Sequence, residues 1–131
     1  LMSEKFRLEI IGPDSSIYSS DVLEVTIPSY EGLMTILKDH ISIVTFLRPG
    51  LIEIRVDNET EKFFIEEGTV EFSNNQLLIL SSTAENIKNF SNSKISEMIK
   101  KTEKFISENN SGDKKNYILS HKLDTLREIN Q

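Results

Sequence analysis

Two histidines, His40 and His121, and one adjacent carboxylate pair, Glu66 and Glu67, are the side chains of this 131-residue chain best suited to metal or acid–base chemistry. The histidines fall in different segments with no HxH or HExxH spacing, so the sequence offers no ligand pattern for a metal. Glu66 and Glu67 read as the end of a strand before a turn at Gly68. Neighbours on a strand point to opposite faces, so the two carboxyls cannot work as an acid/base pair on one substrate. The five glycines, Gly12, Gly32, Gly50, Gly68 and Gly112, are isolated and read as turn residues rather than a phosphate-cradling loop. There is no GxSxG elbow, and the serines gather in linkers, where they cap and bend the chain. The absence of cysteine excludes disulfides, thiolate chemistry and sulfur-ligated zinc. These observations leave a module that acts by binding other macromolecules, with no catalytic residue, no metal and no cofactor.

The elements that carry such a module follow from charge and hydrophobic period. The formal net charge of −6 argues against nucleic acid as a partner, because phosphate binding needs clustered Lys and Arg. No apolar stretch approaches a membrane span of about 18 residues, and no secretion signal opens the chain, so a cytoplasmic protein without membrane insertion is expected. Leu1, ahead of Met2, is left outside the fold. Residues 1–90 hold seven basic and fifteen acidic side chains, whereas residues 91–131 hold eight and six. The period changes at the same boundary. FRLEII (6–11), VLEVTI (22–27), ISIVTFL (41–47), LIEIRV (51–56), EKFFIE (61–66), TVEF (69–72) and QLLIL (76–80) are short, mostly alternating and rich in Ile, Val and Phe, as strands are. GPDSS, RPG, DNET and SNN supply turns between them. This spacing predicts an all-β sandwich or barrel over residues 2–88, of which the sandwich is the expectation kept here.

From residue 91 the period becomes helical. Ile95, Met98, Ile99, Phe105 and Ile106 share one face, ENNSGD (108–113) interrupts it, and Ile118, Leu119, Leu123, Leu126 and Ile129 repeat it, with Asp113 available as a cap. Each helix has one apolar stripe and cannot form a core alone, so residues 91–131 are expected as an antiparallel α-helical hairpin, paired with itself or laid on the sheet. The segment EGLMTILKDH (31–40) is unusual in this frame. It is an apolar stretch where a polar turn belongs, so Leu33, Met34, Ile36 and Leu37 either close the core or form an edge on which a partner docks.

FRLEIIGPDSSIYSSDVLEVTIPSYEG, an apolar loop ending in His40, ISIVTFLRPGLIEI, FFIEEGTVEFSNNQLLILSSTAE and a helical hairpin follow one another in this order. The chain resembles, over essentially its whole length, the epsilon subunit of F-type ATP synthases, whose mitochondrial counterpart is called delta. The resemblance rests on Glu31-Gly32 with His40 eight residues after Gly32, on Leu47-Arg48-Pro49-Gly50, on the Gly68 strand and on Thr83-Ala84-Glu85. Thr35 to Asp39 depart from the Gly-Ile-x-Pro-Gly pattern common in that loop.

The resemblance implies a non-catalytic rotor subunit at the cytoplasmic face of an energy-transducing membrane, gripping the gamma subunit and seated on the c-ring. Glu31, Gly32, Leu33, Met34, Ile36, Lys38 and His40 would then form the docking edge. It further implies a hairpin whose basic residues, Lys100, Lys101, Lys104, Lys114, Lys115, Lys122 and Arg127, meet the catalytic alpha and beta subunits and restrain ATP hydrolysis; pairing with Glu97, Glu103 and Glu108 on a solvated helix face is the plainer reading of these lysines. Family members that bind ATP use a Glu, Asp, Arg, Arg series, which falls here on Glu85, Ser91, Lys94 and Lys101. Only the glutamate is kept, and Lys lacks the planar fork of Arg, so little ATP binding is expected. A free-standing sandwich adaptor for a peptide or nucleotide is the alternative the residues leave open.

Overall fold

The computed structural model of the chain describes residues 4–109 and 112–130. The first two residues of the expected sandwich range, Asn110 and Ser111 of the expected interhelical break, and Gln131 lie outside the described residues. Ten strands come first: β1 (Phe6–Ile11), β2 (Ser16–Val22), β3 (Glu24–Ser29), β4 (Gly32–Ile36), β5 (Ile43–Leu47), β6 (Gly50–Val56), β7 (Glu59–Ile65), β8 (Gly68–Ser73), β9 (Gln76–Leu80) and β10 (Glu85–Asn86). A short 3₁₀ turn, Ile87–Asn89, leads into α1 (Asn92–Glu108) and α2 (Asp113–Ile129).

The strands form one continuous sheet in the order β10-β7-β6-β3-β5-β8-β9-β1-β2, with β4 added to β3, folded over as a sandwich. Among the described residues every pairing is antiparallel except β1 with β9. Alternation builds the core: Phe6, Leu8 and Ile10 of β1 meet Val25 and Ile27 of β3, Ile52 and Ile54 of β6, and Phe72, Leu77 and Ile79 from β8 and β9. Apolar side chains of this size contribute about 1.5–3 kcal/mol each when fully buried. Strand β2 closes one edge with polar residues outward, which blunts it against pairing with another chain.

The tight connections are set by backbone chemistry. Asn74 and Asn75, both with positive φ, make the two-residue turn between β8 and β9. Gly32, at φ +122°, starts β4 in a conformation other residues rarely take. At Gly50 a Cβ would stand 2.5 Å from the Pro28 side chain, so only glycine admits the approach of β6 to β3.

The helical hairpin lies against the sheet. Leu51 of β6 and Phe64 of β7 face away from the sandwich core and form a second one with Leu126 of α2, flanked by Phe90, Met98, Ile99 and Ile129. Ser91 caps α1 by accepting the Lys94 N–H at 3.1 Å. Helix α2 differs from expectation: its N-cap is Gly112, and Asp113 is its first helical residue, where a carboxylate suits the positive helix end without serving as the cap. Glu66 and Glu67 also differ. They occupy the turn between β7 and β8 rather than a strand, because β7 ends at Ile65.

Candidate functional site

The segment 31–40 is a strand and a turn, not a loop. Gly32–Ile36 pairs along the length of β3, with Ser29 opposite Gly32 and Val25 opposite Ile36. Alternation therefore sorts its side chains. Leu33 points outward and is 71% exposed, Met34 packs partly against the core, and Ile36 is fully buried. The expectation that Ile36 is an exposed docking residue is corrected on this ground: it belongs to the sandwich core. A strand of five residues also carries Glu31 and His40 to opposite ends of the sheet, about 17 Å apart along the chain direction, so the segment is not one compact edge.

Each end has its own anchoring. Glu31 accepts a hydrogen bond from the Thr45 hydroxyl at 3.4 Å. At the other end Asp39, with φ 67°, receives a bond from the Asn75 amide at 2.9 Å while its own N–H donates to Asn75 Oδ1 at 2.7 Å. His40 donates from Nδ1 to the Ile41 carbonyl at 2.7 Å and sets its ring edge against Phe72. Lys38 is half-buried and makes no ion pair within 4 Å among the described residues.

The larger apolar surface lies elsewhere. Val44 and Phe46 of β5 are 72% and 59% exposed, on the face of the sheet away from the core. The register runs from Phe46 past Thr69 on β8 to Leu80 on β9 and Ile11 on β1, and Val44 stands opposite Glu71, so the apolar side chains of β5, β9 and β1 are separated by the polar ones of β8. Ile41 and Leu37 extend exposed apolar surface into the β4–β5 connection. Sequence reasoning treated ISIVTFL only as a strand. Its signal was the lack of any charged residue at either alternating set, which a strand with one solvated face would carry. Beside Phe46 lies an open groove of about 510 Å³ bounded by Tyr30, Glu31, Thr45, Glu67 and Lys114.

The basic residues of the hairpin are not gathered on one face. Lys122 pairs with Glu66 of the sandwich at 2.8 Å, and Arg127 with Glu103 across the hairpin at 2.7 Å. Lys101 and Lys104 pair along α1 with Glu97 and Glu108 at 3.2 and 3.9 Å. Lys115 lies over the Phe105 ring, Lys114 reaches the groove, and Lys100 is exposed. Of the nucleotide-type series, the structure joins Glu85 and Lys94, whose ammonium meets both carboxylate oxygens at 2.9 and 3.2 Å and also covers the Phe90 ring. The Ser91 hydroxyl is used as the helix cap, and Lys101 is held by Glu97.

Glu67 accepts from the N–H and hydroxyl of Ser82 at 3.3 and 2.7 Å. His121 of α2 stands edge-on to Tyr117, whose ring stacks on Tyr30. Burial holds the His121 imidazole below its ordinary pKa; the positive charge of Arg48 adds to this and Asp124 opposes it. Among the described residues no three His, Asp or Glu side chains are placed to hold a metal, and no helix is long and apolar enough to cross a membrane.

Comparison with known proteins agrees with this architecture. Residues 5–87 match the family model of the beta-sandwich domain of the ATP synthase delta/epsilon chain. An ATP synthase epsilon chain of Pelagibacter ubique is 42% identical over 130 residues, covering 98% of this chain and all of that one. A chain of the Euglena gracilis mitochondrial ATP synthase, solved with OSCP, F1 and c-ring, superposes with a TM-score of 0.79 at 18% identity, over 98% of this chain and 82% of its own. One from the Tetrahymena thermophila central stalk and c-ring superposes at 0.64 and 15% identity over the full length of both, and these two likenesses speak to the fold. The chain belongs to the ATP synthase delta/epsilon family.

Proposed function

We propose that the chain is an epsilon-type, non-catalytic subunit in the central stalk of a proton-translocating F-type ATP synthase, peripheral to the membrane, where it links the gamma subunit to the c-ring. The observation that carries this reading is the exposure of three large apolar side chains, Val44, Phe46 and Leu80, on the outer face of neighbouring strands of the sandwich. Such a surface is costly to leave in water and marks an interface. Full-length similarity to an epsilon chain, and a fold shared with chains solved in central-stalk and c-ring assemblies, support the choice of partner. Leu37, Lys38, His40 and Ile41, with Glu31 and Gly32 at the opposite end, flank this face and form its margins, whereas Leu33 faces α2.

The hairpin, with Lys122 tied to Glu66 of the sandwich, is a restraining element that must leave the sheet before Lys122 can meet the catalytic alpha and beta subunits. The test of the docking face is assembly of the full chain carrying Val44→Asp and Phe46→Asp into the synthase. The isolated variant folds, and its complex loses coupling of proton flow to ATP synthesis, because desolvating the new carboxylates is expensive. Full coupling by a folded double variant would remove the reading.

A further inference from the structure

The connection between β4 and β5 bends at two residues that do not pre-organise the bend. His40 donates its N–H to the Leu37 carbonyl at 3.1 Å, which closes a four-residue turn with Lys38 and Asp39 at its centre. Asp39 has φ 67°. A positive angle at the third residue is that of a type II turn, which favours proline at the second position and glycine or asparagine at the third. Lys38 lacks the fixed φ of proline and Asp39 the freedom of glycine, so the turn depends on a hold from outside.

The hold comes from the β8–β9 turn, 36 residues away. Asn75 accepts the Asp39 N–H on Oδ1 at 2.7 Å and donates from its side-chain amide to the Asp39 carboxylate at 2.9 Å, so each residue is both donor and acceptor to the other. The second of these bonds ends on a charged oxygen, which strengthens it. Asn75 is itself fixed: its carbonyl accepts the Arg7 N–H at 3.0 Å, and its φ of 59° belongs to the two-residue turn that leads into β9. On either side of the held turn stand Leu37 and Ile41, 49% and 76% exposed, with Ile36 buried before them and Ile43 packed against the core after them.

We infer that Asn75 is a positioning residue for the docking face: through its paired bonds to Asp39 it sets the β4–β5 turn in the shape that presents Leu37 and Ile41 to a partner. The docking use rests on the rotor reading; the hold on the turn does not. Exposed apolar side chains on a loose turn would have to be ordered at the moment of binding, and that ordering subtracts from affinity. A turn fixed in advance by the β8–β9 connection avoids the loss. The side chain at position 75 must offer a donor and an acceptor together, as an amide does; an aspartate there would lack the donor and set two carboxylates side by side.

Asn75→Gly tests the hold without disturbing the β8–β9 turn, because glycine adopts the positive φ and an Asn-Gly pair is a favoured two-residue hairpin turn. In the isolated full chain, exchange of the His40 amide, which reports the turn itself, should quicken by about tenfold in this variant, and binding of the full chain to synthase stripped of this subunit should weaken by a similar factor. Asp39→Ala should act alike, whereas Asp39→Asn, which keeps an acceptor and tolerates the positive φ, should stay near the parent. In an Asp39→Gly background, where glycine takes the positive φ unaided, Asn75→Gly should have a smaller effect on both readings; a general loss of stability would not depend on that background. Unchanged exchange at His40 in Asn75→Gly overturns the inference. Quickened exchange with undiminished binding overturns it too when Val44→Asp, Phe46→Asp still prevents binding, and takes the docking reading down with it when that variant binds fully. Should Asn75→Gly not fold, Asp39→Ala against Asp39→Asn decides by the same two readings.

Discussion

Leu51 and Phe64 stand directly opposite each other in the β6–β7 ladder, and both turn their side chains away from the sandwich core into the hairpin. Their partner from α2 is the fully buried Leu126. Leu126→Ala should weaken hairpin docking by about 2–5 kcal/mol, the usual range for such a truncation, while the sandwich core stays intact. Amide exchange resolved by element checks this: protection should fall across α2 and be retained in β1, β6 and β9. Equal loss everywhere would mean that the two cores unfold as one.

Truncation before residue 91 removes the cover from Leu51 and Phe64 but no strand of the sandwich. The shortened chain should remain folded by its near-ultraviolet and thermal signatures, bind an apolar dye more strongly than the full chain, and melt at a lower temperature. In the assembled synthase it should retain ATP synthesis and hydrolyse ATP faster. Unchanged hydrolysis would make the hairpin a structural appendage only.

Ile36 and Phe46 lie on opposite sides of the distinction between core and interface. Ile36→Ala should destabilise the isolated chain by about 2–5 kcal/mol. Phe46→Ser, at a mostly exposed position, should stay within about 0.5 kcal/mol of the parent. Chemical denaturation of the isolated chain measures both. The order should reverse when binding to the rest of the stalk is measured.

Lys94 is already bound to both oxygens of Glu85, and Ser91 is engaged as a helix cap. Titration of the full chain with ATP should therefore show no saturable binding in the micromolar range. The triple variant Ser91→Asp, Lys94→Arg, Lys101→Arg should bind more tightly, since it restores a carboxylate and two forked donors. Micromolar affinity in the unsubstituted chain would count against this.

Most of the fold was legible in the sequence because alternation and helical period are local. FRLEII, LIEIRV and QLLIL announced their strands, and the change of period after residue 90 announced the hairpin. Strand β2 escaped because an edge strand with both flanks polar has no alternation to read, and β10 because two residues carry no period. Strand β4 escaped for the reverse reason, its apolar residues lying so close together that the segment resembled a docking loop. The docked hairpin had left a trace: Leu51-Ile52 and Phe63-Phe64-Ile65 break alternation where both faces of the sheet are covered. The pairing of Lys122 with Glu66 and the approach of Arg48 to His121 had none, since both depend on how α2 is laid on the sheet.

The parallel pairing of β1 with β9 sets an order of events during synthesis. Arg7 pairs opposite Gln76, so β1 waits for a neighbour about seventy residues downstream, while β2 can join it at once across a short turn. Until β9 emerges, one flank of β1 has no partner and Phe6, Leu8 and Ile10 lack the Leu77 and Ile79 side of their core. The nascent chain therefore passes through a stage with a half-open sheet, where chaperones have most to protect, and commits to its final topology only when nearly all of the sandwich has been translated.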